Sequence, residues 1–346
     1  MKRILLANFH ESPENLHFEL ALIRAVRKVK GLALDILHDF DSDYGFIGES
    51  VAPGGKRVKY SGLESLGRAC RAGCGLMVLL DFPKRDRCAP AFIRLARELP
   101  AGKKIFVANH LIPMPGQNLT ADLARKLKAL SGVDAGFMLE ADDRRLWSEM
   151  GLSGARLLTR GYASDCAYYS PVKAPPGDYV FSAGSAGRNF GALAAGAKRA
   201  GLGLRVFSDS KPKKLPAGIE FLPLSKNLSN LKAAAASSRA VVVPVTDSYL
   251  NESAGNSIVF LGMALGRPVL TKRTPYMKRF IQDGKNGFFY TCLSPASIAE
   301  GLRRITALSP AGLKKLGAAA RRTILQKASL DRFCHQFLTR FVKKIL

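Results

Sequence analysis

The sequence predicts an α/β protein of two doubly wound domains, each a parallel sheet with helices on both faces, facing one another across a cleft. Three observations carry that expectation. Short apolar runs alternate with helical periods of about ten residues from Arg3 onward. The alternation breaks at Tyr168–Asp178 (YYSPVKAPPGD), where three prolines and a glycine end every period. It then restarts at Tyr179 and runs to the end. Two such units place a ligand cleft at the carboxyl ends of their strands.

Taken in order, Arg3–Phe9 (RILLANF) is a buried strand, followed by a helix over Glu14–Lys30 that stops at Gly31. Leu32–His38 is the next strand, and Asp39–Tyr60 has no period and is expected to be a loop. A helix over Leu63–Ala72 leads to the strand Leu76–Asp81 (LMVLLD), and one over Ala89–Leu99 leads to Lys104–Asn109 (KIFVAN). Thr120 caps a helix to Leu130. Strands at Ala135–Glu140 and Ala155–Thr159 flank a helix over Asp142–Met150. Beyond the linker, strands are expected at Tyr179–Ala183, Leu204–Ser208, Ile219–Leu222, Ala240–Pro244, Pro268–Thr271 and Phe288–Tyr290. Helices are expected at Asn189–Ala200, Leu228–Ser238, Tyr276–Gln282, Pro295–Ala307 and Pro310–Gln326, besides one opening on Gly255-Asn256-Ser257. The domains are therefore expected at 1–170 and 171–328, with a terminal helix over 329–346.

That terminal segment places Leu330, Phe333, Cys334, Phe337, Leu338, Phe341, Val342 and Ile345 on one face, and Arg332, His335, Arg340, Lys343 and Lys344 on the other. The apolar stripe is expected to pack back on the N-terminal domain. The chain carries 53 Lys+Arg against 27 Asp+Glu, a formal charge of +26. Such an excess suits a polyanionic partner or a solvated basic surface. Interleaved basic and aromatic motifs, helix-turn-helix spacing and zinc-ligand spacing are lacking, so no specific nucleic acid is expected. An anionic membrane surface is the preferred partner. No apolar run approaches the ~20 residues of a membrane span, and the N-terminus is expected to be a first strand, not a signal peptide. The six cysteines are expected to be buried free thiols in a reducing cytoplasm.

The chain is organised around Asn251–Gly287 (NESAGNSIVFLGMALGRPVLTKRTPYMKRFIQDGKNG). A helix start with exposed amides, here Gly255-Asn256-Ser257-Ile258, is a ready anion site. The order Glu252, Gly255, Met263-Ala264, Gly266, Pro268-Val269 and Asp283-Gly284-Lys285-Asn286-Gly287 resembles the donor-binding signature of GT-B glycosyltransferases, especially glycosyltransferase family 4. The resemblance covers about forty residues and implies two Rossmann-like domains. A weaker likeness opens the C-terminal unit at Phe181 (FSAGSAGRNFGALAAGAKRAG), where Gly184 and Gly187 admit a ligand and Arg188 stands at the family's pyrophosphate-binding position.

The resemblance implies glycosyl transfer from a nucleotide sugar, UDP- or GDP-linked, by a retaining route with no metal and no separate cofactor. The acceptor is expected to be a glycan or lipid-linked glycan. Glu252 is implied near the donor sugar, and His110, after KIFVAN, matches a cleft-facing His that would orient acceptor hydroxyl or donor sugar. Lys226 and Asn227 are placed at the base or diphosphate by position alone. Asp41-Ser42-Asp43 has the letters of a metal motif but lies in the irregular N-terminal loop. One departure stands out: the family's second Glu, which accepts hydrogen bonds from the donor ribose, is Leu261 here. Three rival readings follow, a non-catalytic GT-B-like binding module, a nucleotide-sugar epimerase and, on the charge alone, a nucleic-acid-binding protein. The second would need several acid/base groups round the sugar, and few carboxylates are expected near the cleft. The protein is expected to be cytoplasmic, at the inner membrane face.

Overall fold

The computed structural model describes residues 2–40, 54–69, 74–83, 85–110, 128–139, 157–173, 176–185, 187–209, 219–224, 228–246 and 254–342. The chain divides into two compact units, Met1–Tyr162 with Asp331–Leu346, and Ala163–Leu330.

In the first unit β1 (Lys2–Asn8) leads into α1 (Pro13–Arg27), which Ser12 caps by accepting the Asn15 amide at 3.2 Å. Pro13 occupies the first turn, where its missing N–H costs nothing. There follow β2 (Leu32–His38), β3 (Arg57–Lys59), α2 (Leu63–Ala69), β4 (Cys74–Leu80), α3 (Ala89–Arg97), β5 (Lys103–Val107), β6 (Ala135–Met138) and β7 (Leu157–Thr159). All pair in parallel, in the order β3-β2-β1-β4-β5-β6-β7. The central strands carry continuous buried apolar runs, Ile4–Ala7, Leu76–Leu80 and Ile105–Val107, as strands covered on both faces do. Leu79, Phe92 and Phe106, each at most 1% exposed, centre one core layer.

The expected loop at Asp39–Tyr60 is corrected at its end, since Arg57–Lys59 is an edge strand on β2. Three residues with a charge on either side of Val58 give no apolar run, yet an edge strand needs none. The helices expected over Thr120–Leu130 and Asp142–Met150 fall largely or wholly outside the described residues, as does Asp41-Ser42-Asp43.

The second unit contains β8 (Tyr179–Ala183), α4 (Phe190–Arg199), β9 (Gly203–Phe207), β10 (Ile219–Leu222), α5 (Leu228–Ala236), β11 (Ala240–Val243), α6 (Asn256–Ala264), β12 (Val269–Lys272), α7 (Pro275–Lys278), β13 (Phe288–Tyr290), α8 (Pro295–Thr306) and α9 (Pro310–Lys327). Its sheet is also fully parallel, ordered β10-β9-β8-β11-β12-β13. Such an order reverses direction at β8/β11, the switch point where open α/β sheets bind ligands. Of the described cysteines, Cys88, Cys166 and Cys334 are buried free thiols, while Cys74 is half-buried and Cys292 exposed.

The last helix, α10 (Leu330–Val342), packs on the first unit as its apolar stripe predicts. Phe137 meets Phe333, Phe337 and Phe341 edge-on, with centroids 5.4, 5.7 and 5.8 Å apart. Arg24 holds Asp331 with Nε–Oδ1 at 2.6 Å, and Arg332, His335 and Arg340 face water.

Candidate functional site

Two constellations stand at strand ends, one in each unit. In the second unit the chain leaves β8 through Gly184 (φ 99°) and Gly187 (φ 62°), backbone values that favour glycine. Arg188 bridges Val245 just past β11, and Gly187 O accepts the Thr246 amide at 2.9 Å. Across from it Gly255 (φ 82°) caps α6. A Cβ on Gly184 or on Gly255 would each lie 3.1 Å from Arg188 Nη2, and one on Gly255 would also lie 2.3 Å from Val243 Cγ1. The guanidinium therefore lies in a slot lined by two glycines, where an added Cβ on either side would press on it.

Asn256 and Ser257 follow, half-buried at the helix start, and the first turn holds no acidic residue. Ile258 is buried and its amide donates to Gly255 O at 3.1 Å. A guanidinium set beside the positive end of a helix is an arrangement that an anion stabilises from both sides. The Tyr290 hydroxyl accepts the Val245 amide at 3.1 Å and pins the strand exit on which Arg188 rests. Leu261, the departure noted above, is 3% exposed and belongs to the core. Glu252, Lys226 and Asn227 lie outside the described residues.

In the first unit His110 follows β5, and the structure surrounds it with groups not foreseen for it. Asp81, after β4, places Oδ2 2.8 Å from His110 Nδ1. Its Oδ1 accepts the amides of Asn109 (2.8 Å) and His110 (3.2 Å). Asp81 is the only described non-glycine with positive φ, 55°. Glu14, from the first turn of α1, brings Oε2 to 3.7 Å from His110 Nε2. The expectation of few carboxylates is thereby corrected for this neighbourhood: two converge on His110. His10 stacks on the His110 ring, centroids 4.3 Å apart and planes at 8°, and its Nδ1 contacts Phe82 O at 3.1 Å.

Behind this cluster runs a buried amide chain. Asn109 Nδ2 donates to Asn15 Oδ1 (2.9 Å), and Asn15 Nδ2 to Asn8 Oδ1 (3.1 Å). Arg160 donates to Asn109 Oδ1. Burial opposes protonation of His110, but the charges and hydrogen bonds of Asp81 and Glu14 outweigh it and lift its pKa to about 10. Burial likewise opposes ionisation of Asp81 and Glu14, and His110 overrides it to hold both below the usual carboxylate range. At neutral pH the ring is an imidazolium, a hydrogen-bond donor and not a base.

Ligand atoms of His10, Asp81 and His110 lie within 4.8 Å of one another, the composition of a cation site. The geometry opposes that use. Imidazole lone pairs lie in the ring plane, so two rings stacked nearly parallel cannot aim at one ion without turning.

No family model matches the sequence, and no curated protein matches it. Solved structures do. Sucrose-phosphate synthase from Thermosynechococcus elongatus superposes with a TM-score of 0.64 at 13% identity, covering 99% of each chain. HepE from Anabaena, solved in complex with UDP-glucose, gives 0.65 at 11% identity over 99% of this chain and all of that one. The fold is GT-B.

The GT-B frame does not by itself name a reaction. The N-terminal domain of Candida albicans trehalose-6-phosphate phosphatase superposes as well, at 0.67 with 9% identity over 99% of this chain and 97% of that one. Identities this low establish architecture, and the chemistry has to be read from side chains.

Proposed function

We propose that this GT-B chain is a glycosyltransferase, moving a sugar from a nucleotide-sugar donor to an acceptor hydroxyl by a retaining, metal-independent route. The observation that carries the reading is the slot formed by Gly184, Arg188 and Gly255 at the start of α6. As the C1–O bond to phosphate breaks, negative charge builds on the departing diphosphate. A bidentate guanidinium and the amides of a helix start stabilise that charge where it develops. The UDP-glucose complex of HepE supports a uridine donor, and a GDP-sugar is the other candidate.

His110, clamped by Asp81, donates from Nε2 to an acceptor hydroxyl or a donor-sugar oxygen. Being already protonated, it does not take the acceptor's proton. The new C1–O bond forms as that proton passes to the departing phosphate oxygen, which is the base generated by the reaction itself. Glu252 is assigned to the donor sugar, and Lys226 and Asn227 to the base or diphosphate. The charge of +26 supports an acceptor carried at an anionic surface, such as a lipid-linked glycan at the inner membrane face of the cytoplasm. No described helix is long and apolar enough to cross a membrane.

A thermal-shift panel of UDP, GDP, ADP and CMP sugars tests the reading, because a ligand of the native state alone raises apparent stability. A clear rise with a UDP- or GDP-sugar is expected, and no rise with any of the four would overturn it. The buried Leu261 favours one alternative, a binding module without turnover. Binding without release of nucleotide in the presence of acceptors would establish that alternative. Epimerised sugar with no free nucleotide and no acceptor would instead point to the isomerase, for which the His110 cluster supplies acid/base groups.

A further inference from the structure

His110 Nε2 and Glu14 Oε2 stand 3.7 Å apart, too far to hydrogen-bond one another and near enough for a single oxygen to reach both. Each side of the gap is fixed from behind. Asp81 holds the opposite ring nitrogen at 2.8 Å, so the ring presents Nε2 on the side away from that carboxylate. His10 covers one face of the ring, with centroids 4.3 Å apart. Glu14 lies in the first turn of α1, whose start is set by the Ser12 cap and by Pro13. Its neighbour Asn15 is tied to Asn8 at 3.1 Å and to Asn109 at 2.9 Å. The His110 and Glu14 side chains are 36% and 27% exposed, so the gap is open to a ligand. Among the described residues no other side chain hydrogen-bonds Nε2 or the Glu14 carboxylate.

The chemistry of the gap selects what fills it. An imidazolium N–H only donates, and an ionised carboxylate only accepts. A phosphate would meet Glu14 as a like charge with no proton to offer. An ammonium would meet the imidazolium with no lone pair. A neutral hydroxyl accepts from one and donates to the other. Burial works to raise the Glu14 pKa, but His110 overrides it and keeps it below the usual carboxylate range. So low a pKa makes a weak base, one that holds a hydroxyl proton in a hydrogen bond without removing it.

We propose that Glu14 and His110 together bind one non-reacting sugar hydroxyl, His110 donating to its oxygen and Glu14 accepting its hydrogen, which makes Glu14 a specificity-determining residue. This role rests on the transferase reading and adds a residue to which that reading gives none. The hydroxyl has two possible sources, the donor sugar and the acceptor glycan, and they separate by experiment.

The test compares the full chain with Glu14→Gln, which keeps the shape and removes the charge, and with Glu14→Ala. Calorimetry uses UDP-glucose beside UDP and GDP-mannose beside GDP. The His110 ring resonances are followed by NMR with glucose, galactose, mannose, N-acetylglucosamine and inorganic phosphate. If the donor supplies the hydroxyl, Glu14→Gln weakens binding of the nucleotide sugar about ten-fold and Glu14→Ala up to about a hundred-fold, with the bare diphosphate unchanged. If the acceptor supplies it, nucleotide-sugar affinity is unchanged, and a monosaccharide moves the His110 resonances of the unaltered chain but not those of Glu14→Ala. A response in neither arm would overturn the proposal. So would an equal loss for the bare diphosphate, which marks a structural role, or phosphate moving the resonances as a sugar does. If the unaltered chain bound no nucleotide sugar, the transferase reading would fall and the monosaccharide arm would still decide this one.

Discussion

Asp81 and His110 are locked to one another through two contacts, the ring Nδ1 at 2.8 Å and the His110 amide at 3.2 Å, while the same carboxylate also accepts the Asn109 amide at 2.8 Å. Asp81 adopts φ 55°, a conformation that costs a non-glycine residue roughly 1–2 kcal/mol. The ion pair and the two amide bonds offset that cost.

The first prediction concerns pH. The folded-state pKa of His110 is raised to about 10. The stabilisation is therefore complete below the ordinary histidine value and is lost as pH rises through about 10. Asp81 and Glu14 are shifted down, so their share is present above the ordinary carboxylate range and is lost as pH falls. His110 is 36% exposed in its side chain, and water screens part of the interaction. We expect His110→Gln to cost about 1–2 kcal/mol at neutral pH after that discount. Urea unfolding of both proteins should show the gap closing above about pH 10. A gap that widened there would be inconsistent with an imidazolium.

The second prediction isolates the charge from the shape. Asp81→Asn keeps the acceptor for the two backbone amides but removes the anion. The His110 titration should then fall from about 10 towards the ordinary histidine range. The chain has five histidines, few enough for ring resonances to be followed individually by NMR. If His110 titrated unchanged in Asp81→Asn, Asp81 would not be its main partner.

Third, Arg188→Ala should weaken nucleoside diphosphate binding by about 1.5–3 kcal/mol, the range for a hydrogen bond to a charged group. Gly255→Ala should lose binding and stability together. Its Cβ would meet Val243 Cγ1 at 2.3 Å, and φ 82° strains any side chain, a cost of about 1–3 kcal/mol. Titration calorimetry with UDP and GDP, read beside urea unfolding, separates the two. Unchanged binding in Arg188→Ala would remove it from the site.

How much of this could be read beforehand follows from what each feature leaves in a sequence. Buried parallel strands leave continuous apolar runs, so Leu76–Leu80 and Ala240–Val243 announce themselves. The edge strand Arg57–Lys59 does not, because partial exposure tolerates charge at alternate positions. Gly184 and Gly255 leave a mark because close approach and positive φ favour glycine, whereas Arg188 is marked only by the family resemblance. The partnership of Asp81 and His110 was not, since 29 residues separate them and only the sheet order β1-β4-β5 makes their strand ends neighbours. A signal did exist: the runs RILLAN, LMVLLD and KIFVAN each end on a polar side chain, Asn8, Asp81 and Asn109. All three are at most 4% exposed, and a polar residue closing a central strand at its carboxyl end lies where site residues gather.

The last prediction sets the two faces of α10 against each other. Phe337 is 2% exposed, and its ring lies 5.7 Å from Phe137, 6.0 Å from Phe333 and 5.3 Å from Phe341. Phe337→Ala should therefore cost about 3–5 kcal/mol, transfer and cavity together. Arg340→Gln, on the exposed face, should cost less than about 0.5 kcal/mol. The helix also touches the His110 cluster through one intermediary. Arg160 lies 5.0 Å above the Phe333 ring and donates to Asn109 Oδ1, beside His110. Phe333→Ala should thus shift the His110 ring resonances, while Arg340→Gln leaves them in place. Urea unfolding and the same NMR titration read both effects. A Phe333→Ala protein with unmoved His110 signals would show that Arg160 holds its place without the ring above it.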